Sequence, residues 1–357
     1  GEIDAGNPDF RYEDMPDAEA EQAREGLVQE KGFFILPSEL FCNVRAKAAS
    51  DENLNETLET VFRHIEESAK GSSSEGQFAG LFDDYDVNSN KLGATVAKRN
   101  EKLVKLLNGV ADMNLGDVKE HDIDAFGDAY EYLMTMYASN AGKSGGEFFT
   151  PADVSELLTR LGTVGKKEIN KVYDPACGSG SLLLKAEKVL GRDAVRNGFF
   201  GQEINITTYN LCRINMFLHD VGFDKFDIAC EDTLTAPQHW DDEPFELIVS
   251  NPPYFKMDAN QLPEQLNFRH LGRMEENLTL EQLVFHANRL LKSYGRFYMV
   301  HRPNRLNEIN TVLYANHFSI RNLQFAYDHR DNQVKSVLIE AVKESSCDMK
   351  VLEPIYI

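Results

Sequence analysis

Cysteine is scarce in this chain and is not arranged for a metal site or a disulfide framework. The 357 residues include five cysteines, and no two of them form a Cys-x-x-Cys pair. Closely paired cysteines mark structural zinc sites, and dense cysteine patterns mark small secreted folds. We therefore expect reduced thiols and no metal centre. The five positions are Cys42, Cys177, Cys212, Cys230 and Cys347.

Long apolar runs are also missing. No stretch of the sequence approaches the roughly 20 apolar residues that a membrane-spanning helix needs, and no secretion signal is visible. Hydrophobic residues nevertheless make up 42% of the chain, which is enough for a proper core. The pattern predicts a cytoplasmic protein without a membrane partner.

Basic residues are in short supply, and the shortage is confined to one part of the chain. The formal net charge is −21. Residues 1–254 hold 24 basic and 46 acidic residues, a balance of −22, whereas residues 255–357 hold 13 and 12. Affinity for nucleic acid comes mostly from neutralised phosphates, so a nucleic-acid substrate would need a basic partner or a local basic face. The alternative is that the acidity only serves solubility.

Two kinds of periodicity divide the chain. Residues 38–70 and 89–139 repeat apolar residues at helical spacing, and a Gly-Ser loop at 71–74 lies between them. We predict a helical N-terminal domain over residues 1–140 and a catalytic domain over residues 141–357. The expected apolar faces of the second helical segment are Leu103, Leu106, Leu107 and Val110, then Phe126, Tyr130, Leu133, Met134 and Tyr137.

Short apolar strands alternate with helices from about residue 165 onward, which is typical of a doubly wound, Rossmann-like α/β sheet. The chain should close on an antiparallel hairpin. Strands are predicted at 169–174, 198–203, 225–230, 246–250, 295–300, 323–327 and 336–342. Helices are predicted up to 190, at 207–219, near 278–292 and at 305–316.

A Gly-rich turn follows the first predicted strand. In "YDPACGSGSLLL", an acidic residue ends the strand and small residues lead into an amphipathic helix. The turn lacks the Gly-Lys-Ser/Thr of a phosphate-binding loop, and Leu183 replaces the third glycine of the dinucleotide pattern. Gly178 and Gly180 would let the backbone approach a ligand, although a purely structural turn is the alternative. The candidate binding residues are Asp174, Ala176, Gly178, Ser179, Gly180 and Ser181.

Acidic residues also follow the second and third strands. Glu203 could accept hydrogen bonds from both ribose hydroxyls of a nucleoside, or be a solvated strand-end charge. Asp232, with Thr233 beside it, could accept from an adenine amino group, or cap a turn.

The segment Asn251-Pro252-Pro253-Tyr254 follows the fourth strand. Proline cannot donate to a sheet, so the strand stops here and a stiff loop begins. Ligands bind at such strand ends in open α/β sheets. Three acidic or Gly-rich strand ends followed by this motif are improbable as a chance combination of unrelated structural features.

Together these motifs resemble S-adenosylmethionine-dependent adenine-N6 methyltransferases, with a cofactor motif followed by a catalytic motif. The resemblance implies that Asn251 Oδ1 and the Pro252 carbonyl accept from the adenine amine and aim its lone pair at the methyl group. Pro253 stiffens the loop, and Tyr254 offers a ring for stacking against a flipped base. Asn251 also borders the cofactor, and the fold expected is a Rossmann-like methyltransferase sheet with an N-terminal α-helical domain.

A closer resemblance, over roughly residues 25–254, is to the modification subunits of type I restriction-modification systems. The stretches that carry it are "KGFFILPSELFCNV", "GDAYEYLMTMYASNAGK", "NAGKSGGEFFTPADVSELL" and "FGQEINITTYNLCRINMFLHD". It implies adenine methylation in DNA, with a specificity subunit as partner and a restriction subunit as a further candidate. It also implies a segment that packs over the cofactor. That segment is Glu147, Phe148, Phe149, Thr150, Pro151 and Ala152, of which Thr150-Pro151 also reads as a helix start.

The resemblance changes after Tyr254. Residues 255–357, including His301-Arg302-Pro303, are similar to bacterial tRNA adenine-N6 methyltransferases. His301, Arg302 and Arg305 could contact phosphates or instead form a strand-end loop that caps the next helix. A tRNA methyltransferase and a catalytically silent cofactor-binding scaffold therefore remain as alternatives to the DNA enzyme.

Overall fold

The computed structural model describes two compact units, and the element numbers below follow the described residues. One unit comprises Gly1–Ala125 with Gly222–Asp224, and the other comprises Phe126–Val221 with Lys225–Ile357. The described residues are 10–113, Ala129, 132–133, 152–163, 166–191, 194–233, 235–239, 245–250, 279–328 and 333–356.

The first unit is helical, as its periodicity predicts. In helix α4, Leu54–Ser68, the core residues recur at the three- and four-residue spacing that places side chains on one helix face. They are Leu54, Leu58, Val61 and Ile65. The helices are α1 Asp17–Ala20, α2 Arg24–Lys31, α3 Phe41–Ala48, α4 Leu54–Ser68, α5 Glu75–Phe78 and α6 Val96–Ala111.

Helix α6 packs against α3 and α4, but its apolar face is only partly covered. Thr95 begins the helix by accepting a hydrogen bond from the Lys98 amide. Leu103 is 1% exposed, whereas Leu106 is 48% and Val110 is 36% exposed. Of the apolar face expected from the sequence, only the first position is thus in the core. The face expected from Phe126 to Tyr137 lies almost wholly outside the described residues.

The second unit is an α/β sheet in the order β3-β2-β1-β4-β5-β7-β6-β8, with β9 paired to β6. The pairs among strands β1 to β5 are all parallel, and β7 runs antiparallel between β5 and β6. The strands are β1 Val172–Asp174, β2 Phe199–Gln202, β3 Phe226–Ala229, β4 Phe245–Ser250, β5 Leu291–His301, β6 Phe318–Tyr327, β7 Val334–Lys343, β8 Lys350–Val351 and β9 Ile355–Tyr356.

Helices cover both faces of this sheet, because successive residues of a strand point to opposite sides. Val172, Leu247 and Tyr298 join one core cluster, and the next residue of each strand joins the other. The first cluster includes side chains of α7, α8 and α9, and the second includes those of α10 and α11. These helices are α7 Ala152–Thr163, α8 Ser181–Leu190, α9 Ile206–Leu218, α10 Leu280–Leu290 and α11 Leu306–Ala315.

The predicted strands and helices of this unit are confirmed to within a few residues, including the closing hairpin of β6 and β7. The sequence did not indicate that β7 inserts next to β5, nor that β8 and β9 add to β6. Within the described ranges, none of the helices has the length and apolar content needed to cross a membrane.

Candidate functional site

The carboxyl ends of β1, β2 and β3 lie side by side and carry most of the describable candidate residues. Asp174 is the last residue of β1 and is level with Gly201 of β2. Gln202 of β2 is in turn level with Ala229 of β3. The acidic residues that follow these strands therefore meet at one edge of the sheet, where open α/β sheets bind ligands.

Asp174 is a buried carboxylate with incomplete hydrogen bonding. It is 1% exposed, and its Oδ1 accepts from the Ala176 amide at 3.0 Å. Its Oδ2 has no hydrogen-bond partner among the described residues. Burial raises the pKa of Asp174 to about 7, the Ala176 bond opposes the rise, and the nearby Glu203 charge adds to it. A cationic or hydrogen-donating group placed at Oδ2 would satisfy this oxygen.

The Gly-rich turn is shaped partly by internal packing. Gly178 and Gly180 have φ values of 55° and 83°, in the left-handed region that glycine adopts freely. A Cβ on Gly180 would lie 2.8 Å from Cys212 Sγ on α9. The close approach of α9 thus requires glycine at position 180 irrespective of any ligand. Asn215 of α9 also holds this turn by donating Nδ2 to the Ser179 carbonyl at 2.9 Å.

The two serines of the turn, Ser179 and Ser181, are buried, and their Oγ atoms are 3.4 Å apart. Ser181 begins α8. The Ser181 hydroxyl is enclosed there. The backbone is therefore the part of the Gly-rich turn that is best placed to meet a ligand.

Glu203 joins the turn after β1 to the end of β2. Its Oε2 accepts from the Gly178 amide at 3.1 Å and its Oε1 accepts from the Asn205 amide at 2.9 Å. Burial raises the pKa of Glu203, and the backbone bonds from Asn205, Gly178 and Ile204 counteract part of that rise. The carboxylate is therefore fixed in position, and it still has acceptor capacity for a ligand hydroxyl.

The loop after β3 is tied to the turn after β1 and is closed by a hydrogen bond of its own. Thr233 donates Oγ1 to the Pro175 carbonyl at 2.6 Å. Asp232 is half-buried, and its carbonyl accepts from the Ala236 amide at 2.8 Å. These bonds hold Asp232 and Thr233 beside the Gly-rich turn.

Sequence reasoning missed the residue that fastens this loop. Gln202 is 0% exposed, and its Nε2 donates to the carbonyls of Glu231 and Ala236 at 3.2 and 3.0 Å. Its Oε1 accepts from the Gln238 amide at 3.2 Å. A polar side chain at the end of an otherwise apolar strand was the available signal, since buried amides are rarely left without hydrogen bonds. His239 was also missed. It is 3% exposed, and its Nε2 lies 3.0 Å from the Gly201 carbonyl oxygen.

Several predicted site residues lie outside the described residues. Strand β4 ends at Ser250, immediately before the predicted catalytic motif, and α7 begins at Ala152, the last residue of the segment expected over the cofactor. The residues outside are Glu147, Phe148, Phe149, Thr150, Pro151, Asn251, Pro252, Pro253 and Tyr254. Of Ala152 only the backbone position is described.

The segment after β5 forms a strand-end loop, as the second of its two expected arrangements has it, but neither Arg302 nor Arg305 makes a side-chain capping hydrogen bond. His301 is 1% exposed, and its Nδ1 accepts from the Arg302 amide at 2.8 Å. Burial, with a smaller contribution from Arg305, lowers the pKa of His301 to about 4. Arg302 donates to the Lys335 carbonyl, and Arg305, 9% exposed, pairs with Glu308 of α11 at 2.9 Å. These side chains stabilise the strand end, so the phosphate-contact interpretation is not favoured.

Two family models match the chain. The model described as N-6 DNA Methylase matches residues 121–313, which is more than half of the chain. The model described as HsdM N-terminal domain matches residues 6–110. The first match continues beyond Tyr254, where the sequence alone indicated a change of family. The similarity of residues 255–357 to tRNA methyltransferases therefore competes with this match as far as residue 313.

Curated relatives agree with the family models. The chain is 45% identical over 323 residues to the type I restriction enzyme MpnII methylase subunit of Mycoplasma pneumoniae, covering 84% of this chain and 59% of that protein. It is 32% identical over 155 residues to the MjaVII methylase subunit of Methanocaldococcus jannaschii, covering 43% of this chain and 25% of that protein. The chain thus spans less than two thirds of the length of these relatives.

Solved structures share the fold. A type I restriction-modification system methyltransferase subunit from Streptococcus thermophilus matches with a TM-score of 0.70 and 26% identity, over 94% of this chain and 72% of that one. A Listeria monocytogenes protein assigned to the class I S-adenosylmethionine-dependent methyltransferases matches with a TM-score of 0.51 and 14% identity, over 89% and 91%, which concerns the fold alone. With its helical N-terminal unit and this sheet, the chain is similar to methylase subunits of type I restriction systems, and it belongs to the N-6 DNA methylase family.

Proposed function

We propose that this chain transfers a methyl group from S-adenosylmethionine to the N6 amine of adenine in DNA, as the modification subunit of a type I restriction-modification system. The observation that carries the proposal is the hydrogen bond between the Gly178 amide and Glu203 Oε2. It joins a Gly-rich turn to a fixed carboxylate at the carboxyl edge of a methyltransferase sheet. A helical domain over residues 1–140 and a catalytic domain over residues 141–357 are part of the proposal.

The cofactor would bind across the ends of β1, β2 and β3. Bound S-adenosylmethionine supplies an electrophilic methyl group on a positively charged sulfur. Glu203 would accept from its ribose hydroxyls, Asp232 with Thr233 would meet its adenine ring, and the turn from Asp174 to Ser181 would hold its methionine part. The segment Glu147–Ala152 would cover it. The unsatisfied Asp174 Oδ2 supports this fit, because the cofactor carries an ammonium group that could donate to it.

The target adenine would bind against the loop that follows β4. Its exocyclic nitrogen is a weak nucleophile, since its lone pair is delocalised into the ring. Asn251 Oδ1 and the Pro252 carbonyl accept from its two N–H groups and favour a more tetrahedral nitrogen. Pro253 keeps these acceptors in place, and Tyr254 stacks on the base, which has to leave the duplex to reach the site.

Partners follow from the family and from charge. The balance of −22 over residues 1–254 makes this chain a poor binder of DNA by itself. We therefore propose that a specificity subunit supplies DNA recognition, with a restriction subunit as a further partner. The proposed site of action is the cytoplasm, where such an enzyme meets DNA.

Methyl transfer from labelled S-adenosylmethionine tests the proposed function. Duplex DNA should be labelled when a specificity subunit is present, and N6-methyladenine should be the product found in a nucleoside digest. Transfer to tRNA without any partner would contradict the proposal in favour of a tRNA methyltransferase. Binding of the cofactor without transfer to DNA or tRNA would contradict it in favour of a catalytically silent scaffold.

Cofactor binding should depend on pH through Asp174. The pKa of Asp174 is about 7 without a ligand. A neighbouring ammonium group favours the ionised carboxylate, so the affinity should be greatest above that pKa and fall as the pH drops through it. We expect the Kd for S-adenosylmethionine to rise about tenfold between about pH 8 and about pH 6, as measured by calorimetry.

An Asp174→Asn variant is the control for this pH dependence. It keeps the size of the side chain and removes its titration, so its Kd should change much less over the same range. Glu203 also has a raised pKa, and the comparison separates the two carboxylates. A steep dependence that persists in Asp174→Asn, or a flat one in the unaltered protein, would show that the ammonium group does not meet Asp174.

A further inference from the structure

A cavity in the helical unit is remote in sequence from the methyltransferase motifs. It lies between helix α4 and the segment 82–88 and has a volume of about 370 Å³. Three aromatic side chains, Phe62, Phe82 and Tyr85, form part of its lining. We call this cavity the aromatic pocket.

The rings of the aromatic pocket pack on one another and remain open to solvent. Phe62 and Phe82 are stacked, with centroids 4.7 Å apart and an interplanar angle of 21°. Tyr85 meets Phe62 edge-on at 5.1 Å and 88°, and Tyr85 is 47% exposed. Because the faces of such rings carry partial negative charge, a partly open aromatic cluster is a favourable place for a cation.

Most of the charged side chains around the rings are negative, which favours a cation as the occupant. Four carboxylates line the pocket together with a single described basic residue, Arg63, so the lining has an excess of three negative charges. This charge repels phosphates and excludes nucleic acid as the occupant. The lining also has no arrangement of metal ligands, and none occurs elsewhere in the described residues. The carboxylates are Glu59, Glu66, Asp83 and Asp86.

Hydrogen bonds hold the two sides of the pocket together. Glu66 Oε1 accepts from the Phe82 amide at 2.9 Å, and Glu59 Oε2 accepts from Asn88 Nδ2 at 3.0 Å. Glu59 and Glu66 are seven residues apart on α4, so they fasten the segment at both ends of one helix face. Each bond engages one oxygen and leaves the other able to accept from an occupant. The pocket is therefore preformed, which lowers the entropic cost of binding.

A buried amide adjoins this lining. Asn55 is 3% exposed and donates Nδ2 to Asn88 Oδ1 at 2.6 Å. Within the described part of the chain, its own Oδ1 has no hydrogen-bond partner. An unsatisfied buried acceptor is uncommon in folded proteins, and here it stands next to a residue that lines the pocket.

We propose that the aromatic pocket binds the guanidinium group of an arginine presented by a partner protein. Arginine fits better than lysine, because its planar group stacks on aromatic faces and its fork of N–H donors matches carboxylates. The proposal does not depend on the proposed methyl transfer, since it rests on residues 55–88 alone.

Binding of blocked tripeptides to the full chain tests this proposal. The probes are Gly-Arg-Gly and Gly-citrulline-Gly, whose central side chains have the same shape but differ in charge. With phenylalanine and tyrosine rings isotopically labelled, the arginine peptide should shift the resonances of Phe62, Phe82 and Tyr85 saturably. We expect the Kd of the arginine peptide to be at least about tenfold lower than that of the citrulline peptide. Added salt should weaken the binding of the arginine peptide.

Variants locate the binding. The double variant Glu59→Gln/Glu66→Gln keeps acceptors for Asn88 and Phe82 but removes two charges, and we expect it to raise the Kd for the arginine peptide about tenfold. Glu101→Gln is the matched control, because Glu101 lies exposed on α6 beside Lys105, outside the pocket lining. Thermal unfolding of each variant verifies that it is folded.

Three results would overturn the proposal. The first is equal affinity for the arginine and citrulline peptides, or no shift of the pocket rings by either. The second is an arginine Kd that is unchanged in Glu59→Gln/Glu66→Gln or that rises as much in Glu101→Gln. The third is a Gly-Lys-Gly peptide that binds as tightly as the arginine peptide, which would remove the assignment to a guanidinium group.

Discussion

Replacing Asn251 with alanine is expected to reduce methyl transfer by at least about a hundredfold while changing the Kd for S-adenosylmethionine by no more than about twofold. In the proposed mechanism Asn251 Oδ1 accepts from the adenine amine most strongly as the nitrogen becomes tetrahedral. A contact that strengthens in the transition state contributes to kcat and little to ground-state binding. Single-turnover transfer to duplex DNA, with a specificity subunit present, measures the chemical step directly.

Tyr254→Phe is the control within the same loop. It retains the ring that stacks on the base and removes only the hydroxyl, so its transfer rate should stay within about tenfold of that of the unaltered chain. Cofactor affinity, measured by calorimetry on both variants, distinguishes loss of chemistry from loss of the bound cofactor. Normal turnover in Asn251→Ala would show that the amine is not activated by this side chain.

The second large effect is expected for Glu203. Replacing it with alanine should raise the Kd for S-adenosylmethionine about a hundredfold, because two charge-assisted hydrogen bonds to the ribose are lost. The same change removes the acceptor of the Gly178 and Asn205 amides, so the turn after β1 loses its link to β2. Glu231→Gln is the matched control, since Glu231 is an exposed carboxylate at the end of the next strand.

A cofactor analogue that lacks one ribose hydroxyl makes the Glu203 test specific. The analogue should bind more weakly than S-adenosylmethionine to the unaltered chain, but nearly as well as S-adenosylmethionine to Glu203→Ala. Such non-additivity identifies a direct contact, whereas independent losses would mean that Glu203 acts only by holding the turn. Removing the Glu203 charge should also lower the pKa of Asp174, because that charge contributes to its elevation.

Most of the sheet could be predicted because its strands are short apolar runs bounded by turn residues. The prediction failed for the strands and strand pairings about which the local sequence pattern carries little information. Strands β8 and β9 are two residues each, and Val351 and Tyr356 are largely exposed, so neither apolar runs nor alternation marks them. The insertion of β7 beside β5 is a pairing between distant segments, and no local pattern encodes such a choice of neighbour.

The candidate site could be predicted in part for a related reason. Acidic residues and glycines at strand ends are visible in a sequence, so Asp174 and Glu203 were identified. Gly180 was interpreted as a place where backbone approaches a ligand, yet the structure shows that it accommodates Cys212 of α9. Gln202 was overlooked because its importance arises from three hydrogen bonds to a loop that only the folded chain brings to it.

The position of β7 also affects how the chain can be made. During synthesis from the N-terminus, β5 and β6 leave the ribosome before β7, which later hydrogen-bonds to both of them. Until residue 343 has emerged, each of the two earlier strands lacks its β7 neighbour and offers an open edge to other nascent chains. Unlike the parallel pairs formed by β1 to β5, the pairs that β7 makes with β5 and β6 therefore form only after β7 itself has been synthesised.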